Sequence, residues 1–156
     1  VPEGGAHGVI ACQGGNMAGW SLYIDESGKP TYHYNWFGHV HSVVGDSQAL
    51  KAGSHEIVVD FAYDGGFGAG GVATLYVDDR EAGSIRIDKT VPLVYSMSGE
   101  TFDIGVDTGS PVGNYPHLFT CTADIVGVTI ERLNEPSAAT KQKMREGEFK
   151  ASISTQ

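Results

Sequence analysis

Apolar and polar residues alternate with a period of two along much of this chain, the spacing that sends successive side chains to opposite faces of a strand. In GWSLYID, Trp20, Leu22 and Ile24 share one face; in TYHYNWFG, Tyr32, Tyr34 and Trp36 oppose Thr31, His33 and Asn35. The intervening Glu26-Ser27-Gly28-Lys29-Pro30 reads as a hairpin turn. HGVIACQ at residues 7–13 is a mostly apolar run that predicts a strand before the turn GGNMAG, and Val40 to Val44 predicts a short one. In SHEIVVDFAYD, Ile57, Val59, Phe61 and Tyr63 face one way, and Asp60 shares the other face with Val58 and Ala62, which predicts an inner strand. VATLYVD and GSIRI form a pair joined across Asp78 and Asp79, with Arg80-Glu81-Ala82 in the link; TFDIGVD and FTCTADIVGVTIERL complete the set. Strand after strand with turn signals between them predicts an all-β chain, a two-sheet antiparallel β-sandwich of jelly-roll type.

Length and composition agree with that pattern. A chain of 156 residues holds one domain, able to bury about two-thirds of its unfolded surface. Its 22 glycines, set among β-branched and aromatic residues, suit pleated strands with tight connections. The sandwich domain is predicted over 1–133. From Asn134 the composition changes, and a C-terminal tail covers 134–156, where Ser137 as cap and Gly147 as stop admit a short helix up to Arg145. A loosely attached tail is the competing expectation.

Charge narrows the partners. Of the net charge of -9, the body up to Leu133 carries 16 acidic and 6 basic residues, and the tail 3 and 4. An acidic body without a Lys/Arg cluster repels phosphate backbones and anionic lipid, so neither nucleic acid nor membrane is an expected partner. No apolar run has the ~18 residues that span a bilayer, and the chain, which begins at Val1 with no signal-peptide order, is expected to be a cleaved or excised piece. Cys12 and Cys121 cannot build a tetrahedral zinc site alone and are expected as two buried free thiols.

The common catalytic signatures GxSxG, GxxxxGK[ST], HExxH and CxxC do not occur, nor does an EF-hand loop. Asp103 and Asp107, four apart on a continuous strand, would share a face about 13 Å apart, too far for paired carboxylate chemistry. His39 and His41 would share a strand face without a third metal ligand nearby. Asp64 with its glycines, and Asp107 with Asn114, are candidates for calcium, which takes 6 to 8 oxygens; ordinary turn chemistry explains the same residues. The aromatic stripe Tyr32, Tyr34 and Trp36 is a candidate for stacking on sugar rings, with Asp64 and Tyr115 as further ligand-binding candidates and a core role as the alternative.

Taken in order, GVIACQGGNMAGWSLYIDESGKPTYHYNWFG, FAYDGGFGAGGVATLYVDDREAGSIRI, VDTGSPVGNY and GVTIERL resemble the C-terminal region of large bacterial arylsulfatases of the alkaline-phosphatase-like superfamily, over residues 7 to 133. GWSLYID followed by LYVDDREAG is also similar to laminin-G and concanavalin-like jelly rolls. The resemblance implies a sandwich without catalytic residues: Cys12 is followed by Gln13-Gly14-Gly15 and Cys121 by Thr122-Ala123-Asp124, so neither lies in the sulfatase [CS]xPxR motif. It further implies that the chain is no enzyme by itself, requires no cofactor beyond a candidate calcium, and has as partner the catalytic domain of a longer sulfuric ester hydrolase. An autonomous glycan-binding module is the alternative, and a small jelly-roll glycan hydrolase the weaker one. The compartment stays open, with the periplasm or exterior of a bacterium favoured.

Overall fold

The computed structural model describes residues 1–92, 95 and 100–131, and the tail with its expected helix lies outside them. The described chain is an all-β, two-sheet antiparallel sandwich. Its strands are β1 (Gly8–Gly14), β2 (Gly19–Ile24), β3 (Pro30–Trp36), β4 (Val40–Gly45), β5 (Ile57–Tyr63), β6 (Ala69–Val77), β7 (Arg80–Lys89) and β8 (Phe102–Ile104). Sheet A has the order β4-β3-β2-β1-β8 and sheet B the order β5-β6-β7.

Local chemistry explains the hairpins. At the β2–β3 turn the Asp25 Oδ1 accepts hydrogen bonds from the Ser27 and Lys29 amides and from the Ser27 hydroxyl, so one carboxylate closes the turn. Between β6 and β7, Asp78 and Asp79 both take positive φ, 51° and 63°, the two-residue geometry that matches the twist of the flanking strands. The link is therefore confined to those two residues, and Arg80-Glu81-Ala82 already belongs to β7. Asp78 also binds His55 (2.7 Å) and accepts from the Glu56 amide, fastening the entry to β5 onto this turn.

The sheets meet with β7 over β4 and β6 over β3. Tyr32, Tyr34, Val44, Ala73, Leu75 and Ile87 form the core between them, with Trp20, Leu22, Trp36, Ile57, Val59 and Phe61 packed at its margin. A buried Asp46 carboxylate following β4 receives the Arg80 guanidinium at 2.5 Å and clasps the sheets at one corner.

A second core lies on the other face of sheet A, where the connection after β8 folds back. Val9, Cys12 and Tyr23 meet Val112, Tyr115 and Phe119 there. Val9 and Cys12 reach the same face because the β1–β2 register shifts at Ile10, a bulge that hides the alternation of β1 in the sequence. Gly8 is required at its place: its φ is +113°, and a Cβ would run into the Thr120 carbonyl.

Two expectations for the strands are corrected. Among the described residues β5 is an edge strand, because sheet B has three strands there and β5 pairs with β6 alone. The run FTCTADIVGVTIERL forms no long strand over its described part: Thr120 makes one bridge to Val9, the Cys121 and Thr122 amides donate to the Gly105 and His7 carbonyls, and residues 123–131 pair with no strand among the described residues.

Candidate functional site

The connection from Gly105 to Thr122 packs on the outer face of sheet A and gathers a cluster of buried polar side chains there. Gly105, at φ +82°, ends β8 and turns the chain back. Asp107 thereby returns beside Asp103 and Cys12, their ligand atoms lying within 4.8 Å of one another, which corrects the separation expected for a continuous strand.

Each carboxylate of this trio is already engaged. Asp107 is 1% exposed; its Oδ1 accepts from the Gly109 amide, and its Oδ2 from the Val112 amide and the Tyr115 hydroxyl (2.7 Å). Asp103 Oδ1 accepts from the Thr101 hydroxyl, and Oδ2 from the Thr108 amide and hydroxyl. Burial, and then the charges of Asp107 and Asp103, push the Cys12 thiol up to about 12, so it stays protonated. A cation would have to displace these donors and ionise the thiol. The arrangement acts chemically as a clamp that folds the connection onto the sheet.

Beside the clamp, two shallow grooves of about 410 and 590 Å³ meet at His33 and Asn114. The first runs between Asn16, Asn35, His41 and Gly113; the second between Tyr23, Asp25, Val43 and Phe119. Asn35 is fully buried and structural: its amide nitrogen donates to the Gly15, Asn16 and Val112 carbonyls, and its oxygen accepts from the Gly38 amide. His33 Nε2 lies 2.7 Å from His41 Nδ1, while the buried His33 Nδ1 has no hydrogen-bond partner. Burial, then the neighbouring His41, pushes the His33 imidazole down to about 4. A neutral ring with its proton on Nε2 fits best, since a bare lone pair is a cheaper orphan than an N–H.

The residues expected to bind ligand or metal are dispersed. Tyr32 and Tyr34 are 8% and 3% exposed inside the inter-sheet core, and the Tyr34 hydroxyl accepts from the Val91 amide, so neither ring offers a face to a sugar. Trp36 packs at the core margin against Phe37, with the Lys89 ammonium over its ring. Tyr115 is buried against Tyr23 and Phe119. Asp64 receives both terminal nitrogens of Arg86, at 3.1 and 2.5 Å, which places a guanidinium where calcium was expected. It follows β5 in sheet B, whereas Asp107 and Asn114 lie on the outer side of sheet A, and the three do not converge. Cys12 is a buried free thiol as expected; Cys121 is free but only half-buried. The histidine pairing is His33 with His41, on neighbouring strands, while His39 sits in the β3–β4 turn.

No family model, curated protein or solved structure matches this chain.

Proposed function

We propose that this chain is the non-catalytic β-sandwich module of an arylsulfatase-like hydrolase, packing on the parent's catalytic domain beside its substrate entrance. The observation that carries the reading is the unequal covering of the two sheets. Sheet A is covered over part of each face, inward at β3 and β4 by sheet B and outward by the Gly105–Thr122 connection. No described residue covers the outer face of sheet B, where Val58 pairs with half-buried Tyr76 and Ala62 with Val72, two apolar pairs with Asp60 and Thr74 between them. A solvated face of an antiparallel sheet is ordinarily polar, and exposed apolar pairs of this kind suit contact with another protein surface.

The resemblance of the four quoted segments supports the same assignment; three of them form β1 to β3, β5 to β7 and part of the connection over sheet A, and GVTIERL lies in the run after it, partly outside the described residues. In this reading the metal and nucleophile of sulfate ester hydrolysis belong to the parent's other domain, and this module supplies a rigid wall. The isolated chain is expected to leave an aryl sulfate unhydrolysed above the buffer rate. Turnover that copurifies with the folded chain would overturn the proposal.

A further inference from the structure

The register of β3 and β4 pairs Asn35 with His41 and His33 with Val43, so His33 and His41 stand diagonally on one face of sheet A. Their rings meet edge to face at 5.0 Å, and the contact of 2.7 Å between His33 Nε2 and His41 Nδ1 holds a single proton. Which ring supplies it is decided behind His33. There the backbone of Gly113 lies so close that a Cβ would stand 2.6 Å from His33 Nδ1, and this buried nitrogen has no hydrogen-bond partner. A bare lone pair costs less in that place than an unpaired N–H, so His33 donates from Nε2, His41 accepts at Nδ1, and His41 carries its own proton on Nε2.

The two rings differ in their access to solvent. His33 is 4% exposed, whereas His41 is exposed on the first groove. A proton that reaches His41 turns it into a donor at both nitrogens, and two N–H groups then face each other across the contact. His33 restores the bond by accepting at Nε2 only if its own proton passes to Nδ1, against Gly113. Of the other groups around the pair, Asn16, Asn35 and Asn114 carry no charge, and burial pushes the Tyr23 and Tyr115 hydroxyls up, so they stay neutral. Asp25 is held down, against the cost of its partial burial, by its Lys29 and Ser27 donors, and Glu26 lies exposed beside it on the second groove.

We propose that His33 and His41 form an acid-operated latch on residues 111–114 of the connection over sheet A. With His41 neutral, the His33 Nδ1 lone pair lets Gly113 lie on the ring; with His41 protonated, the N–H forced onto Nδ1 lifts Gly113 and opens the junction of the two grooves. This latch is independent of what a parent enzyme hydrolyses.

Imidazole nitrogen-15 spectra and the nuclear Overhauser contact between the His33 ring and Gly113, at about pH 7 and about pH 5, test it on the wild-type chain and on His41→Asn. The site is exposed, and the asparagine oxygen keeps an acceptor near the place of Nδ1 but takes up no proton. In the wild type the His33 proton is expected to pass from Nε2 to Nδ1 on acidification and the contact with Gly113 to fall by at least about half, with neither change in the variant and the β6 amides unmoved in both. A His33 ring that keeps its proton on Nε2 throughout, with Gly113 in place and His41 swung into the groove, would overturn the proposal. Changes shared by the variant, or spreading to β6 as in general unfolding, would overturn it equally.

Discussion

Replacing Asp107 with alanine is expected to cost about 3 kcal/mol or more of folding free energy, against the 1 to 3 kcal/mol that one orphaned buried donor costs. The carboxylate serves three donors at once, the Gly109 and Val112 amides and the Tyr115 hydroxyl, and is itself 1% exposed. Truncation leaves the Tyr115 hydroxyl without its acceptor and loosens the connection that carries Val112, Tyr115 and Phe119 onto sheet A. Asp107→Asn keeps an acceptor oxygen and is expected to recover part of the loss. Urea unfolding of the two variants beside the wild type checks this; an alanine variant within about 0.5 kcal/mol of wild type would mean that the clamp is not what holds the connection.

Stability is also expected to fall as pH drops from 6.5 towards 4, by on the order of 2 kcal/mol from His33 alone. The sign follows from where the proton goes. The unfolded imidazole binds it near 6.5, while the folded ring, held down to about 4 by burial and then by His41, refuses it across that window. The unfolded state therefore takes up more protons as pH falls, and the native state loses ground until the folded ring titrates too. The magnitude is set below the full shift because the groove beside the ring admits water. His33→Gln removes the contribution, so the difference between the two unfolding free energies should shrink or reverse from pH 7 to pH 4. A constant difference over that range would contradict the assignment.

How much of this was legible in the sequence depended on how local the cause is. The β2–β3 hairpin was, because the period-two alternation and the Asp25 turn lie within a few residues of each other. The faces of β3 were also correctly separated, but alternation says only that Tyr32 and Tyr34 share a face, and the opposing sheet decides that this face is core. The bulge at Ile10 broke the pattern of β1. Whether β5 is inner or edge depends on how many strands its sheet recruits, a fact absent from β5 itself.

The site was less legible for the same reason. Cys12 meets Asp103 through the β1–β8 pairing, and Asp107 joins them through the turn at Gly105, contacts between remote segments that no local spacing announces. His33 and His41 lie on neighbouring strands, so their pairing required the β3–β4 register. Asp64 resembled a calcium-loop residue because its glycines were visible in sequence, while its actual cation, Arg86, is on β7.

The central proposal, that the outer face of sheet B docks a catalytic domain, is tested most directly by sedimentation of the isolated chain with the catalytic domain of the arylsulfatase-like hydrolase proposed as its parent, for the wild type and for Val58→Lys/Val72→Lys. The account predicts a one-to-one complex that the two lysines abolish while the chain's own fold persists. Absence of a complex, or one formed equally well by the lysine variant, would contradict it.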